Sequence, residues 1–334
     1  MIHRHIRHHA ALAATAIALA IALPTQAGPL TPPAGTPAPT NKTLQQVEPR
    51  IDVATLPADG TGLFKHAITA PGSYYLAANV IAEHSGITVR TGGVTLDLAG
   101  FAVTTTDAPH PDGLGVYVEA PGNTGRQVII MNGLAVDFAR DGFASTNTGD
   151  TGPGAPPQLP PPPIVLHNLH ASGCGQRGFD LSGESYLTNC TASNNQVAGF
   201  QLRAHSTLTN CVASHSGIRG FDLRDAVLAR GCASSGNTFG FVLTDHATAI
   251  NCDATANTSD GFSIGSKSRV EGCAAIANGG IGFEAVDATL VISNRASANA
   301  IANYDIAPTA TRGEVITVGP GILPSMAPSA NLAY

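Results

Sequence analysis

The chain has 334 residues, with 17 Lys and Arg against 23 Asp and Glu, a formal net charge of −6 and no Trp. Charged residues make up only 12% of it and glycines number 37, which argues against a helical protein with Lys- and Glu-covered surfaces and for an all-β or repeat architecture. A net negative chain gives no electrostatic reason to expect a nucleic-acid partner.

Arg4, Arg7 and several His open the chain, "AALAATAIALAIAL" follows, and Thr25-Gln26-Ala27 fits a small-x-small cleavage rule. This order predicts a secretory signal peptide over residues 1–27. Its apolar run is too short to stay as a membrane span, so the expected mature chain is soluble, without a span, and secreted or periplasmic. Residues 28–46, rich in Pro and Thr, read as an extended leader. From Val47 short runs of β-branched and aromatic residues alternate with Gly, as in "GSYYLAANVIAEHSGITVRTGGVTLDLAGFAVTT". Those runs are strands and the Gly residues mark turns. A second proline tract, Pro153 to Pro163, interrupts the strands and predicts a loop ejected over about 144–163.

Then a repeat sets in. Gly-Phe recurs at Gly178, Gly199, Gly220, Gly240, Gly261 and Gly282, at spacings of 21, 21, 20, 21 and 21, with Gly142-Phe143 as an earlier, degenerate copy. A fixed period near 20 predicts a solenoid. Stacked copies give a Phe column (Phe179, Phe200, Phe221, Phe241, Phe262, Phe283) and, two residues on, an aliphatic column from Leu181 to Ile264 on the same strand face. A Cys column (Cys190, Cys211, Cys232, Cys252, Cys273) ends in Asn294. An Asn column holds Asn195, Ser216, Asn237, Asn257, Asn278 and Asn299, with Cys174 at its head. If each repeat is one coil, identical residues lie about 4.8 Å apart, and stacked Asn amides bond above and below while their carbonyls serve turn backbone. A leucine-rich repeat shares the period but needs several Leu per copy; here there is one Leu or Ile after each Phe. The six cysteines suit either a buried free-thiol ladder, the favoured reading, or disulfides between adjacent coils. With no Cys-x-x-Cys and no partnered His, no metal and no other cofactor is expected.

The entry "GSYYLAANV…GITVR…GVTLDLAGF" (Gly72 to Phe101) and the coils from Gly178 to Asn299 resemble secreted bacterial right-handed parallel β-helix repeat proteins of the pectate-lyase-like superfamily. The resemblance implies an all-β, single-stranded right-handed parallel β-helix over about 47–306, about 21 residues per coil, with a tail over 307–334 covering the last coil. That family includes polysaccharide lyases, hydrolases, mannuronan epimerases, phage tailspikes and adhesins, so fold alone does not choose an activity. None of its catalytic motifs transfers residue by residue.

Outward positions after each Phe supply the candidate site. Asp180, Arg203, Asp222, Arg224, Asp225 and Asp245 are expected to share one exposed sheet face. Asp180 and Asp222 would stand two coils apart, about 9.6 Å, near the carboxylate separation of inverting glycoside hydrolysis. An Arg beside carboxylates also suits proton abstraction next to a uronate. Catalytic roles are therefore expected at Asp180, Arg203, Asp222 and Arg224, and ligand contacts at Asp225 and Asp245. The competing reading is a solvated face whose charges neutralise each other. His205 and His246 read as exposed turn residues, and Asp97 as a turn or cap. Two functions follow: a protein that binds an extended polysaccharide along this face, with catalysis undecided, or a non-catalytic structural or adhesive spacer. The lack of Trp weakens the first, since sugar rings stack on aromatic faces.

Overall fold

The repeated Gly-Phe segments from Gly178 onward become strands whose Phe and aliphatic residue point inward, as in Arg177–Leu181, Ala198–Leu202, Arg219–Leu223 and Phe239–Leu243. The computed structural model describes residues 50–106, 110–119, 126–145, 163–203, 205–317 and 328–333. Within these, successive coils pair in parallel and in register: Phe179 with Phe200, Phe200 with Phe221, Phe221 with Phe241, Phe241 with Phe262 and Phe262 with Phe283. The rings stack with centroids 4.6–5.2 Å apart from Phe143 to Tyr304. Each ring is fully buried from Phe143 to Phe283, so one continuous aromatic column runs through the solenoid.

These strands form one 11-stranded parallel sheet, one strand per coil. The other two strands of each coil, such as Ser185–Thr188 and Thr191–Ser193, belong to a 22-stranded sheet. They merge because Val128–Val136 and Ile164–Ser172 pair with both strands of a neighbouring coil. Small residues face the Phe strand from across the coil: Ala192, Ala213, Ala254 and Ala275 are all buried. This explains the glycine before each Phe. A Cβ on Gly199 would lie 2.8 Å from the Gly220 carbonyl oxygen and 2.9 Å from the Ala213 Cβ, closer than real contacts allow.

Three corners close each coil, and each uses the left-handed backbone region. Asn189, Asn210 and Asn251 hold one corner, with Gly231 in the intervening coil and Gly272 in the coil that follows. Asn and Gly enter this region at least cost. A second corner carries Asn194, His215 and Ala256, and a third carries His205, Asp225, His246 and Lys267. His205 and His246 are exposed turn residues, as expected. The buried Asn column follows the second corner. The Asn257 Oδ1 accepts from the backbone N–H of Asn237 at 3.1 Å and its Nδ2 donates to Asn278 Oδ1 at 3.0 Å. Asn278 repeats the arrangement with Asn299, and Asn195 accepts from the Cys174 N–H. Each amide therefore satisfies a corner that would otherwise be buried without partners.

All six cysteines are free and buried. Burial pushes the Cys174 thiol up to about 12, and contact with the thiol of the preceding coil, then burial, pushes Cys211, Cys232 and Cys252 to about 12. Such thiols are packing groups rather than nucleophiles. Asn294 continues their column by accepting the Cys273 N–H at 2.8 Å, and Asn331 in turn accepts the Asn294 N–H at 3.0 Å.

At the C-terminal end Asn331–Ala333 pairs with Arg295–Ser297 and with Val315–Thr317, so the tail adds strands to the solenoid. Tyr304 takes the Phe position of the last coil, and its hydroxyl lies 2.9 Å from the carbonyls of Asn294 and Leu332. A polar tip suits the ring that ends an apolar column. Asp97 acts as the expected turn cap: its Oδ1 accepts the Ala99 N–H at 2.9 Å. The predicted signal peptide (1–27) and leader (28–46) lie outside the described residues, as does most of the predicted proline-rich loop. Phe143 pairs in register with Phe179 on the far side of that segment. Among the described residues no helix is long and apolar enough to cross a membrane.

Removing one ring from the middle of the column leaves a cavity that neighbouring coils cannot close without losing register. Phe221→Ala should cost about 3–5 kcal/mol of unfolding free energy by denaturant titration. A loss below about 1 kcal/mol would mean that the aromatic column does not hold the coils together.

Candidate functional site

On the outward side of the 11-stranded sheet, register lines up Tyr117, Ala144, Asp180, Gln201, Asp222 and Val242, one per coil. Asp180 and Asp222 are thus two coils apart, as the repeat requires. The expected exposure of Asp222 does not hold. Its carboxylate is 1% exposed, because Arg224 grips it twice, at 3.1 and 2.7 Å, and Arg219 closes over it at 3.3 Å. Asp180 is held by Arg177 at 3.1 Å and by the Gln201 side chain at 3.2 Å. Asp222 therefore lacks the open water position that an acid–base carboxylate pair requires.

Asp225 and Asp245 also depart from the expected sheet face. The strand ends at Leu223, and Asp225 turns into the left-handed region at φ 51°. Both residues are exposed at the corner beyond the sheet. Counting in steps of two reaches Arg224 correctly but fails one residue later, where the chain stops being a strand.

Arg203 differs from every other arginine on this face. Arg224 has Asp222 two residues before it, whereas Arg203 has Gln201, an uncharged amide engaged with Arg177 and Asp180. Among the described residues the Arg203 side chain makes no ion pair or hydrogen bond, and its Nε is shielded from water without a partner. Arg203 lines a cavity of about 340 Å³ with Arg140, Asp141, Arg177, Asp180 and Tyr117. Three guanidinium groups thus stand against two carboxylates.

Asp141, which precedes the degenerate Gly142-Phe143 copy, was not reached by reading forward from each Phe. Its side chain is 1% exposed and lies 3.7 Å from Arg177 and 3.8 Å from Arg140. It also accepts the Arg177 backbone N–H at 3.1 Å. Burial, and then the nearby Asp180 carboxylate, push it up to about 6, against the pull of Arg177 and Arg140. For a carboxyl raised above its unfolded value, native stability falls as pH rises from about 4 through 6, by about 3 kcal/mol in all. A fold that keeps so unfavourable a carboxylate in a cavity marks a functional candidate. Such a group exchanges protons near neutral pH. The recurrence of "RGFDL" at Arg177 and Arg219, against "AGFQLR" between them, was the available signal for this arrangement. Among the described residues no group of three His, Cys, Asp or Glu could hold a metal ion.

The two carboxylates should respond differently to truncation. Asp222→Ala strands two partly hydrated arginines and should cost about 2 kcal/mol in thermal or denaturant unfolding. Asp180→Ala should cost less than about 1 kcal/mol. Equal costs would contradict the buried clamp.

Comparison with known proteins agrees with this architecture. Residues 177–317 match the family described as "Right handed beta helix region". The A-module of the Azotobacter vinelandii mannuronan C-5 epimerase AlgE4 has a TM-score of 0.50 at 14% identity, covering 85% of this chain and 84% of that one. The AlgE6 A-module from the same organism gives 0.45 at 14% identity, with coverages of 79% and 90%. Pectate lyase Pel9A gives 0.44 at 12% identity, with coverages of 74% and 70%. No curated protein matches in sequence. At these identities the likeness is one of fold, and the matched family together with the AlgE4 A-module supplies the handedness that the repeat period leaves open. The chain is a right-handed parallel β-helix protein.

Proposed function

We propose that the protein binds an acidic polysaccharide along the outward side of the 11-stranded sheet, with Arg203 receiving a sugar carboxylate. The observation that carries this reading is the Arg203 guanidinium, unpaired among the described residues, in a cavity where the other arginines already hold their carboxylates. A guanidinium binds a carboxylate with paired, charge-assisted hydrogen bonds. A regular sheet face of stacked coils suits a regular polymer. With the export expected from residues 1–27, that polymer is extracellular or periplasmic. The polysaccharide class is also that named for the mannuronan epimerase of the same fold.

In this reading Arg203 neutralises the sugar carboxylate, Asp180 and Arg177 fix the cavity floor, and Asp141 stands ready to exchange a proton. Neutralising a carboxylate makes the C–H beside it easier to ionise, so the chemistry this arrangement would support is proton transfer at that carbon. Asp222 and Arg224 serve as a rigid neighbour that keeps the Arg203 coil in place. The corner residues Asp225 and Asp245 are at most rim contacts.

Calorimetric titration of the mature chain with oligouronates tests this proposal, with product analysis by mass spectrometry alongside. Arg203→Ala should weaken binding by about 10- to 100-fold. Asp141 loses its negative charge as pH falls through about 6, so binding should tighten several-fold between pH 7.5 and 5, as estimated from adding one net positive charge. Asp141→Asn should remove that pH dependence. Absence of binding, or binding indifferent to Arg203, would leave the self-neutralised face of a structural spacer as the better account.

A further inference from the structure

The arginine cavity continues towards the N-terminal coils. Leu114 and Tyr117 line it and also line a second cavity of about 500 Å³. That cavity shares Phe64, His84 and His110 with a third of about 770 Å³. The lining changes character along the way. Phe64 and Tyr117 stack 5.8 Å apart with planes within 9°, and with Leu114 and Ala144 they form a small apolar cluster outside the main core.

Beyond them His84 and His110 stack with ring centroids 3.6 Å apart. His110 Nδ1 accepts the Asp112 backbone N–H at 3.2 Å, so the neutral ring carries its proton on Nε2. Ser85 Oγ accepts the Leu114 N–H at 3.1 Å and lies within hydrogen-bond distance of His84 Nδ1, at 3.0 Å. The His110 imidazole, when neutral, therefore presents an Nε2–H donor. This tautomer is the opposite of the one a metal-ligating Nε2 requires. Burial and then the neighbouring His110 hold His84 below the ordinary imidazole range, which favours its neutral ring.

The charge also reverses. Among the described lining residues Glu83 and Asp112 face this half with Lys65 opposing them, while Glu119 is already paired with Arg90 at 2.9 Å. Stacked aromatic faces and an imidazole N–H donor suit the C–H face and hydroxyls of an uncharged sugar. A second sugar carboxylate would stand against Glu83 and Asp112. Tyr117 and Gln201 are separated by three coil steps, about 14 Å, so the two halves meet different units of one chain.

We infer that the bound polymer is of mixed charge, with an acidic sugar in the arginine half and an uncharged sugar in the Phe64–Tyr117–His84–His110 half. This rests on the acidic-polysaccharide reading above and narrows it: a homopolyuronate is the poorer ligand. The test is calorimetric titration of the mature chain with three oligosaccharides of equal length. One is an oligoglucuronate, one alternates glucuronate with neutral hexoses, and one is wholly neutral. The mixed oligomer should bind about tenfold tighter than the oligoglucuronate. A Glu83→Gln/Asp112→Asn variant, changed only at exposed positions, should recover most of that gap by improving the oligoglucuronate. Equal or tighter binding of the oligoglucuronate to the wild type, still lost in Arg203→Ala, overturns the mixed-charge inference and leaves the acidic reading standing. Failure of both acidic oligomers to bind, or a neutral oligomer binding as well as the mixed one, removes both.

Discussion

From Phe143 to Tyr304 the solenoid depends on one constraint: each ring must sit on the ring of the neighbouring coil, 4.6–5.2 Å away. That contact fixes the register of these coils in the 11-stranded sheet, and register decides which outward side chains are neighbours. A slip of one residue would turn Phe out and Asp180, Gln201 and Asp222 in. The Gly before each Phe belongs to the same constraint, because a Cβ there would strike the next coil's backbone. The buried Asn amides secure a second edge of the coil by bonding to backbone and to one another. Packing and hydrogen bonding therefore select the same register, which is what gives a sequence one structure.

A perfect repeat would make an inert surface. In the Arg219–Leu223 coil the arginines are engaged locally, since Arg219 and Arg224 cover Asp222. The candidate site arises where the copy is imperfect. Gln201 replaces the carboxylate that would have held Arg203, and its amide bridges Arg177 and Asp180 instead. The degenerate copy one coil before Arg177 adds Asp141, a buried carboxyl raised to about 6. Function in this account follows from two departures from a self-neutralising pattern, held in place by a core that does not vary.

The fold was legible because a fixed period turns sequence into columns, and each column has one physical meaning. Phe, Leu and Cys were assigned to the interior and Asn to a turn without coordinates, and the structure buries the first three and most of the Asn column. The candidate site was legible only in part. Asp180 and Arg203 line the cavity, but the burial of Asp222 depends on how two arginines fold over it, which spacing does not encode. Arg177 and Arg219 lie before the Gly-Phe pair, outside the positions that were read as outward. Asp141 was hidden by the insertion that separates Phe143 from Phe179. Asp225 and Asp245 were misplaced because alternation was extended one residue beyond the end of a strand. The aromatic and imidazole half of the groove comes from the irregular N-terminal coils, where no column announces it.

The most direct measurement of the central claim is a crystal structure of the mature chain with an acidic oligosaccharide. The account predicts a sugar carboxylate about 3 Å from the Arg203 guanidinium, on the outward side of the 11-stranded sheet. A ligand seated on the 22-stranded sheet, or bound with Arg203 unengaged, would contradict it.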